Sequence, residues 1–64
     1  MEKLLNEREM AQRLSCGERH LRRMRQEGKV PYVRLGSLVR YDPAAVGRAL
    51  ERYVVEPTGE EARG

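Results

Sequence analysis

A chain of 64 residues makes one small domain, and at this length folding buries only about 60% of the surface that the unfolded chain exposes, so the core must be thin. Hydrophobic residues make up 39% and charged residues 36%, a balance that fits a globular domain with a heavily charged surface and excludes a disordered polar tail. Lys and Arg number 13 against 10 for Asp and Glu, for a formal net charge of +3 and an isoelectric point near 9.5, which points to a polyanionic partner.

Several classes fall away at once. One cysteine, Cys16, excludes an internal disulfide, and a single histidine leaves no zinc-like spacing. No metal or other cofactor is implied. No apolar run approaches the ~20 residues of a membrane helix, and MEKLLNERE at the start lacks the apolar core of a signal peptide, so the expected location is the cytoplasm. The sequence holds no internal repeat and no Gly-rich phosphate loop, and one small domain leaves little room for an enclosed pocket. An enzyme is not expected.

The first helix starts at NERE. Asn6 is placed to cap it while Glu9 reaches back from three residues on, a variant of the capping box. Met10, Ala11 and Leu14 fall on one face, and Leu5 stands ahead of the cap as a hydrophobic staple, which predicts a helix over about Glu7 to Leu14. Ser15, Cys16 and Gly17 then form a tight turn, with the glycine supplying backbone freedom.

The second helix is predicted over Glu18 to Glu27, within the stretch GERHLRRMRQEG. Residues step by about 100° around a helix axis, so Leu21 and Met24 share the inward face. Arg19, Arg22, Arg23 and Gln26 form a stripe on the opposite face. Arg25 lies beside the apolar edge, where its stem can pack. Like charges this close repel by a few tenths of a kcal/mol per pair, and a phosphate partner would offset that cost.

Gly28 stops the helix, and YVRLGSLVRY follows as two short strands, Tyr32 to Leu35 and Leu38 to Tyr41, about the pair Gly36 and Ser37. A glycine-first pair signals a type II′ hairpin, and alternation predicts Arg34 and Arg40 on its open side. Asp42 and Pro43, cap and first-turn proline, open a third helix. Val46, Ala49, Leu50 and Tyr53 supply its apolar stripe, and its predicted end is near Val54. PTGEEARG has no apolar periodicity and reads as a frayed tail. The domain is thus expected over 4–54, with a flexible acidic tail over 55–64.

The predicted fold class is mainly α with a β-hairpin wing: helix, helix, two-stranded hairpin, helix, the order of a winged helix-turn-helix. From Arg19 to Arg40 the chain carries seven basic residues (Arg19, Arg22, Arg23, Arg25, Lys29, Arg34, Arg40) and one acid, Glu27. The sequence also resembles the excisionase and AlpA-like family, related to the DNA-binding head of the MerR regulators. The resemblance covers about Leu4 to Tyr53. It is carried by Leu4, Leu5 and Asn6; Ala11 and Leu14; the turn Ser15, Cys16, Gly17; Gly28, Lys29, Val30, Pro31; Val33, Arg34, Leu35, Gly36; and Asp42 with Pro43. Two features depart from it: Gly17 stands where a Ser or Thr cap is usual, and Met24 with Arg25 stands where an aromatic and aliphatic pair is common.

That resemblance implies a double-stranded DNA partner. The second helix would lie in the major groove, with Arg19, His20 and Arg23 toward base edges and Arg22 or Gln26 toward backbone or base. The wing, with Arg34, Gly36, Ser37 and Arg40, would straddle a phosphate chain or dip into the minor groove. Such proteins bind side by side on attachment-site DNA, bend it and direct a phage or plasmid integrase toward excision, which makes an integrase and neighbouring copies the expected partners. Others in the family are transcription regulators. MerR regulators carry a long dimerisation helix and an effector domain, for which 64 residues leave no room. An adaptor whose basic face meets an acidic protein is the remaining alternative. An RNA module would need exposed aromatics among the basic residues, and Tyr32, Tyr41 and Tyr53 are expected in the core, as are Met10 and Met24. Cys16 reads as a small turn residue rather than a redox group, and His20 as a residue on the helix flank as readily as a base reader.

Overall fold

The computed structural model describes residues 3–57. Three helices and one two-stranded antiparallel hairpin follow in the order α1 (Glu7–Arg13), α2 (Glu18–Gln26), β1 (Val33–Leu35), β2 (Leu38–Arg40) and α3 (Pro43–Leu50), with a 3-10 turn at Glu51–Tyr53. Residues 58–64, most of the acidic tail expected from the sequence, lie outside the described residues.

Local chemistry accounts for each helix boundary. The Glu9 amide donates to Asn6 Oδ1 at 2.8 Å and the Asn6 amide donates to Glu9 Oε1 at 2.9 Å, so the capping box is complete. Asp42 accepts from the Ala44 amide at 3.2 Å and Pro43 occupies the first turn of α3. The Gly17 cap of α2 makes no side-chain hydrogen bond. Both α1 and α2 end in Schellman motifs: the Cys16 and Ser15 amides donate to the Ala11 and Gln12 carbonyls, and the Lys29 and Gly28 amides to those of Met24 and Arg25.

One expectation about the first turn is overturned. The residue with left-handed backbone is Ser15, at φ 56°, whereas Gly17 is extended at φ −78°. The Schellman geometry demands positive φ at the residue just past the helix cap, and Ser15 holds that place after α1 as Gly28 does after α2, at φ 75°.

The core consists of Met10, Ala11, Leu21, Val30, Tyr41 and Val46, with Leu5, Leu14, Cys16, Met24, Val39 and Leu50 packed around it. Leu5, expected as a staple for α1, packs against the core and also pairs through its backbone. Its amide and carbonyl pair with the carbonyl and amide of Tyr41 at 2.8 and 2.7 Å, which ties the chain ahead of α1 to the end of β2.

The last helix is shorter than its apolar pattern predicts. α3 stops at Leu50, and Tyr53 lies in the 3-10 turn, 42% exposed. Among the described residues beyond Leu50 no side chain belongs to the core cluster or packs against it, and Val54 and Val55, being β-branched, favour extended backbone. Tyr32 is also 42% exposed, so of the three tyrosines only Tyr41 is a core residue.

These backbone assignments predict opposite signs for similar exchanges. Ser15→Gly should stabilise the domain by about 0.5–1 kcal/mol by relieving left-handed strain, and Gly28→Ala should destabilise it by about 1–2 kcal/mol. A side chain on Gly47, inside α3, would meet nothing within 4 Å, so Gly47→Ala should add about 0.5–1 kcal/mol. Urea unfolding midpoints measure all three.

Candidate nucleic-acid interface

The basic face of α2 is built from its inner side outward. Leu21 is fully buried and Met24 half-buried, which turns Arg19, His20, Arg22, Arg23 and Gln26 to the surface, where all five are exposed. The four arginines of the helix nevertheless fall into distinct environments.

Arg25 is internal. Its side chain is only 14% exposed; Nε donates to the Tyr41 hydroxyl at 2.9 Å and Nη2 to Glu7 Oε2 at 3.3 Å. The guanidinium also lies 5.5 Å from the centre of the Tyr32 ring, and that of Arg34 lies 5.9 Å from it. Arg22 is intermediate: its Nε reaches the same Glu7 at 3.4 Å, while half the side chain stays in solvent. Among the described residues, Arg19 and Arg23 make no ion pair. Part of the repulsion within α2 is therefore relieved inside the fold by Glu7, and phosphate is not needed to offset all of it.

Ionisation follows this geometry. Burial pulls the Arg25 guanidinium down, but the hydrogen bonds and charges of Tyr41 and Glu7 outweigh it and leave the group above the ordinary arginine value. Burial pushes the Tyr41 phenol up, the Glu7 charge adds to that, and the pull of Arg25 and Arg22 in the other direction is smaller.

The hairpin corrects a second expectation. Its register pairs Val33 with Arg40, Arg34 with Val39 and Leu35 with Leu38. Residues paired across an antiparallel ribbon share a face, so Arg34 and Arg40 lie on opposite faces, not together on one open side. Alternation places two arginines together only if the register brings them into step, and a two-residue turn does not. Arg34 is exposed; Arg40 is half-buried and donates from Nη1 to the Val39 carbonyl at 2.8 Å. Gly36 has φ 63° and Ser37 has no positive φ, which is the type II′ pattern, and both turn residues are exposed.

Further cations line an open groove between the loop after α2 and the end of α3 with the 3-10 turn: Lys29, Arg48 and Arg52, with Gly28, Val30, Pro31 and Ala49. Arg48, in α3, and Arg52, in the 3-10 turn after it, were not among the expected site residues, although their spacing of four within the predicted third helix was the available signal. Lys29 pairs with Glu27 at 3.1 Å. Among the described residues no group of three His, Cys, Asp or Glu side chains could hold a metal ion, and no helix is long and apolar enough to cross a membrane. No family model, curated protein or solved structure matches the chain.

The buried cluster predicts two outcomes. Glu7→Ala leaves Arg25 with one fewer partner and should cost about 1–3 kcal/mol, between the surface and buried limits for ion pairs. Because the Tyr41 pKa is raised in the fold, its contribution is complete below about pH 10, where an unfolded tyrosine is still protonated, and is lost as pH rises through the higher folded value. Denaturant midpoints should therefore fall above pH 10, and fall less steeply in Tyr41→Phe, which starts from a lower stability at neutral pH.

Proposed function

We propose that the protein is a winged helix-turn-helix that binds double-stranded DNA, with α2 in the major groove and the hairpin as the wing. The observation that carries this reading is α2 itself. One side of the helix is anchored by buried Leu21, and the other presents Arg19, Arg23 and Gln26 to solvent, flanked by His20, with the exposed acids Glu18 and Glu27 at the two ends of the helix. Arg22, held by Glu7 through Nε, keeps its terminal nitrogens for a backbone phosphate. Arg19 and Arg23, which make no ion pair among the described residues, are the base-reading candidates, since a guanidinium can meet the O6 and N7 of guanine with two parallel hydrogen bonds.

The wing contributes two cations and no acid between Tyr32 and Tyr41. With Arg34 and Arg40 on opposite faces of the ribbon, each meets a different phosphate strand when the hairpin tip enters the minor groove. The motif resemblance over Leu4 to Tyr53 extends this to the biological role: an excisionase that binds and bends attachment-site DNA and turns an integrase toward excision. A regulator binding a single operator uses the same surface and differs in stoichiometry.

Gel-shift titration on attachment-site fragments at two salt concentrations, with unrelated competitor, tests the reading. A ladder of salt-sensitive, competitor-resistant complexes is the expected result, because each phosphate contact releases counterions; a single band assigns the one-operator regulator. No specific shift at either salt would discard the DNA role in favour of an adaptor for an acidic protein. Arg23→Ala should lose about 1–3 kcal/mol on the preferred site and relax sequence preference. Equal weakening on every sequence would place Arg23 on phosphate instead.

A further inference from the structure

Tyr32 stands just ahead of β1 and outside the core, 42% exposed. Its ring nevertheless has two cationic neighbours. The guanidinium carbons of Arg25 and Arg34 lie 5.5 and 5.9 Å from its centre, within the ~6 Å over which a ring face attracts a cation. Arg25 is fixed by Tyr41 and Glu7. Arg34 is exposed, and among the described residues it makes no ion pair and no side-chain hydrogen bond. Its strand partner Val39 packs against the core, so Arg34 lies on the face of the ribbon turned toward the body of the domain, and Tyr32, two residues before it, falls on the same side.

We infer that Tyr32 is a positioning residue for the DNA surface: its ring holds the Arg34 guanidinium beside the last turn of α2, so that the wing cation keeps a set place relative to the basic helix. This inference rests on the DNA-binding reading and adds to it the side chain that registers wing against helix. The charges suit the arrangement. Two guanidiniums at one ring repel, but the Glu7 carboxylate, its side chain only 18% exposed, neutralises Arg25 and leaves the ring able to hold a second cation. An aromatic ring also suits a partner that must still meet phosphate, because it engages the guanidinium without consuming any of its N–H donors. A carboxylate in its place would take donors and cancel the charge. Arg40, on the other face of the ribbon, gives the contrast: its Nη1 is already donated to the Val39 carbonyl at 2.8 Å. A long side chain loses less freedom on binding when it is already held, and Tyr32 supplies that hold.

The test uses the full chain and a duplex that the protein itself enriches from a randomised pool. Wild type is compared with Tyr32→Phe, Tyr32→Leu, Arg34→Gln and the Tyr32→Leu/Arg34→Gln double variant. Circular dichroism confirms that each is folded, and every variant keeps the Tyr41 and Glu7 partners of Arg25. In the free protein, the Arg34 Nε–Hε NMR signal, assigned by its loss in Arg34→Gln, should show a ring-current displacement and restricted motion in wild type and Tyr32→Phe, and lose both in Tyr32→Leu. On DNA, Tyr32→Leu should weaken binding about two- to fivefold, the range of an exposed cation–ring pair, and flatten the salt dependence toward that of Arg34→Gln, which has one phosphate contact fewer. The same change should add nothing in the Arg34→Gln background. An Arg34 signal unchanged by Tyr32→Leu overturns the inference. Weakening by the same factor with and without Arg34 also overturns it and puts Tyr32 itself on the DNA. If wild type enriches no duplex, the DNA reading fails and the role of Tyr32 in binding fails with it, whereas the free-protein signals still report whether the ring holds Arg34.

Discussion

The fold turns on one guanidinium. Arg25, in the last turn of α2, hydrogen-bonds the hydroxyl of fully buried Tyr41 after β2 and the carboxylate of Glu7 at the start of α1. Three elements distant in sequence are thereby fixed to one another by a charge-assisted network in a place where grease alone would be sparse. The backbone of Tyr41 adds a second tie through Leu5. With six buried side chains among the described residues, the domain gains little orientation from packing, because apolar contact is non-directional. Hydrogen bonds to a rigid, planar group supply the missing direction.

That arrangement also decides which charges remain available at the surface. With Arg25 internal and Arg22 partly engaged by Glu7, the solvent-facing stripe of α2 is led by Arg19 and Arg23, with His20 and Gln26 beside them. Glu7 acts at both levels: it helps hold α1 to α2, and it lowers the repulsion that four closely spaced arginines would otherwise impose. The stability of the helix and the display of its basic face are therefore linked through one carboxylate. On the hairpin, the two-residue turn has a comparable double effect. It sets the register, and the register sends Arg34 and Arg40 to opposite faces while bringing Leu35 and Leu38 side by side.

Much of this was legible in the residues, and the reason is local physics. The capping box at Asn6 and Glu9, the Asp42–Pro43 start, the Gly28 stop and the glycine-first hairpin each depend on atoms within a few positions along the chain. The inward placement of Leu21 and Met24 and the outward placement of Arg19, Arg22, Arg23 and Gln26 follow from helical periodicity alone. Where reading by pattern went astray, a choice between near-equal local options was settled by something nonlocal or by a specific motif. Ser15 rather than Gly17 takes the left-handed backbone because the Schellman bonds fix its place relative to Ala11 and Gln12. Tyr53 leaves the helical stripe because the chain passes into a 3-10 turn after Leu50, and its ring stays 42% exposed.

Sequence alone determined the elements, their order and the concentration of base between Arg19 and Arg40, since propensity, capping and turn chemistry act over a handful of residues. Tertiary structure decided which of the basic side chains are spent inside the fold, that Tyr41 alone of the tyrosines is buried, and that the two hairpin arginines diverge. Those outcomes depend on which side chains distant in sequence come within about 3 Å of one another, and such proximity exists only once α1, α2 and the hairpin have closed around Arg25.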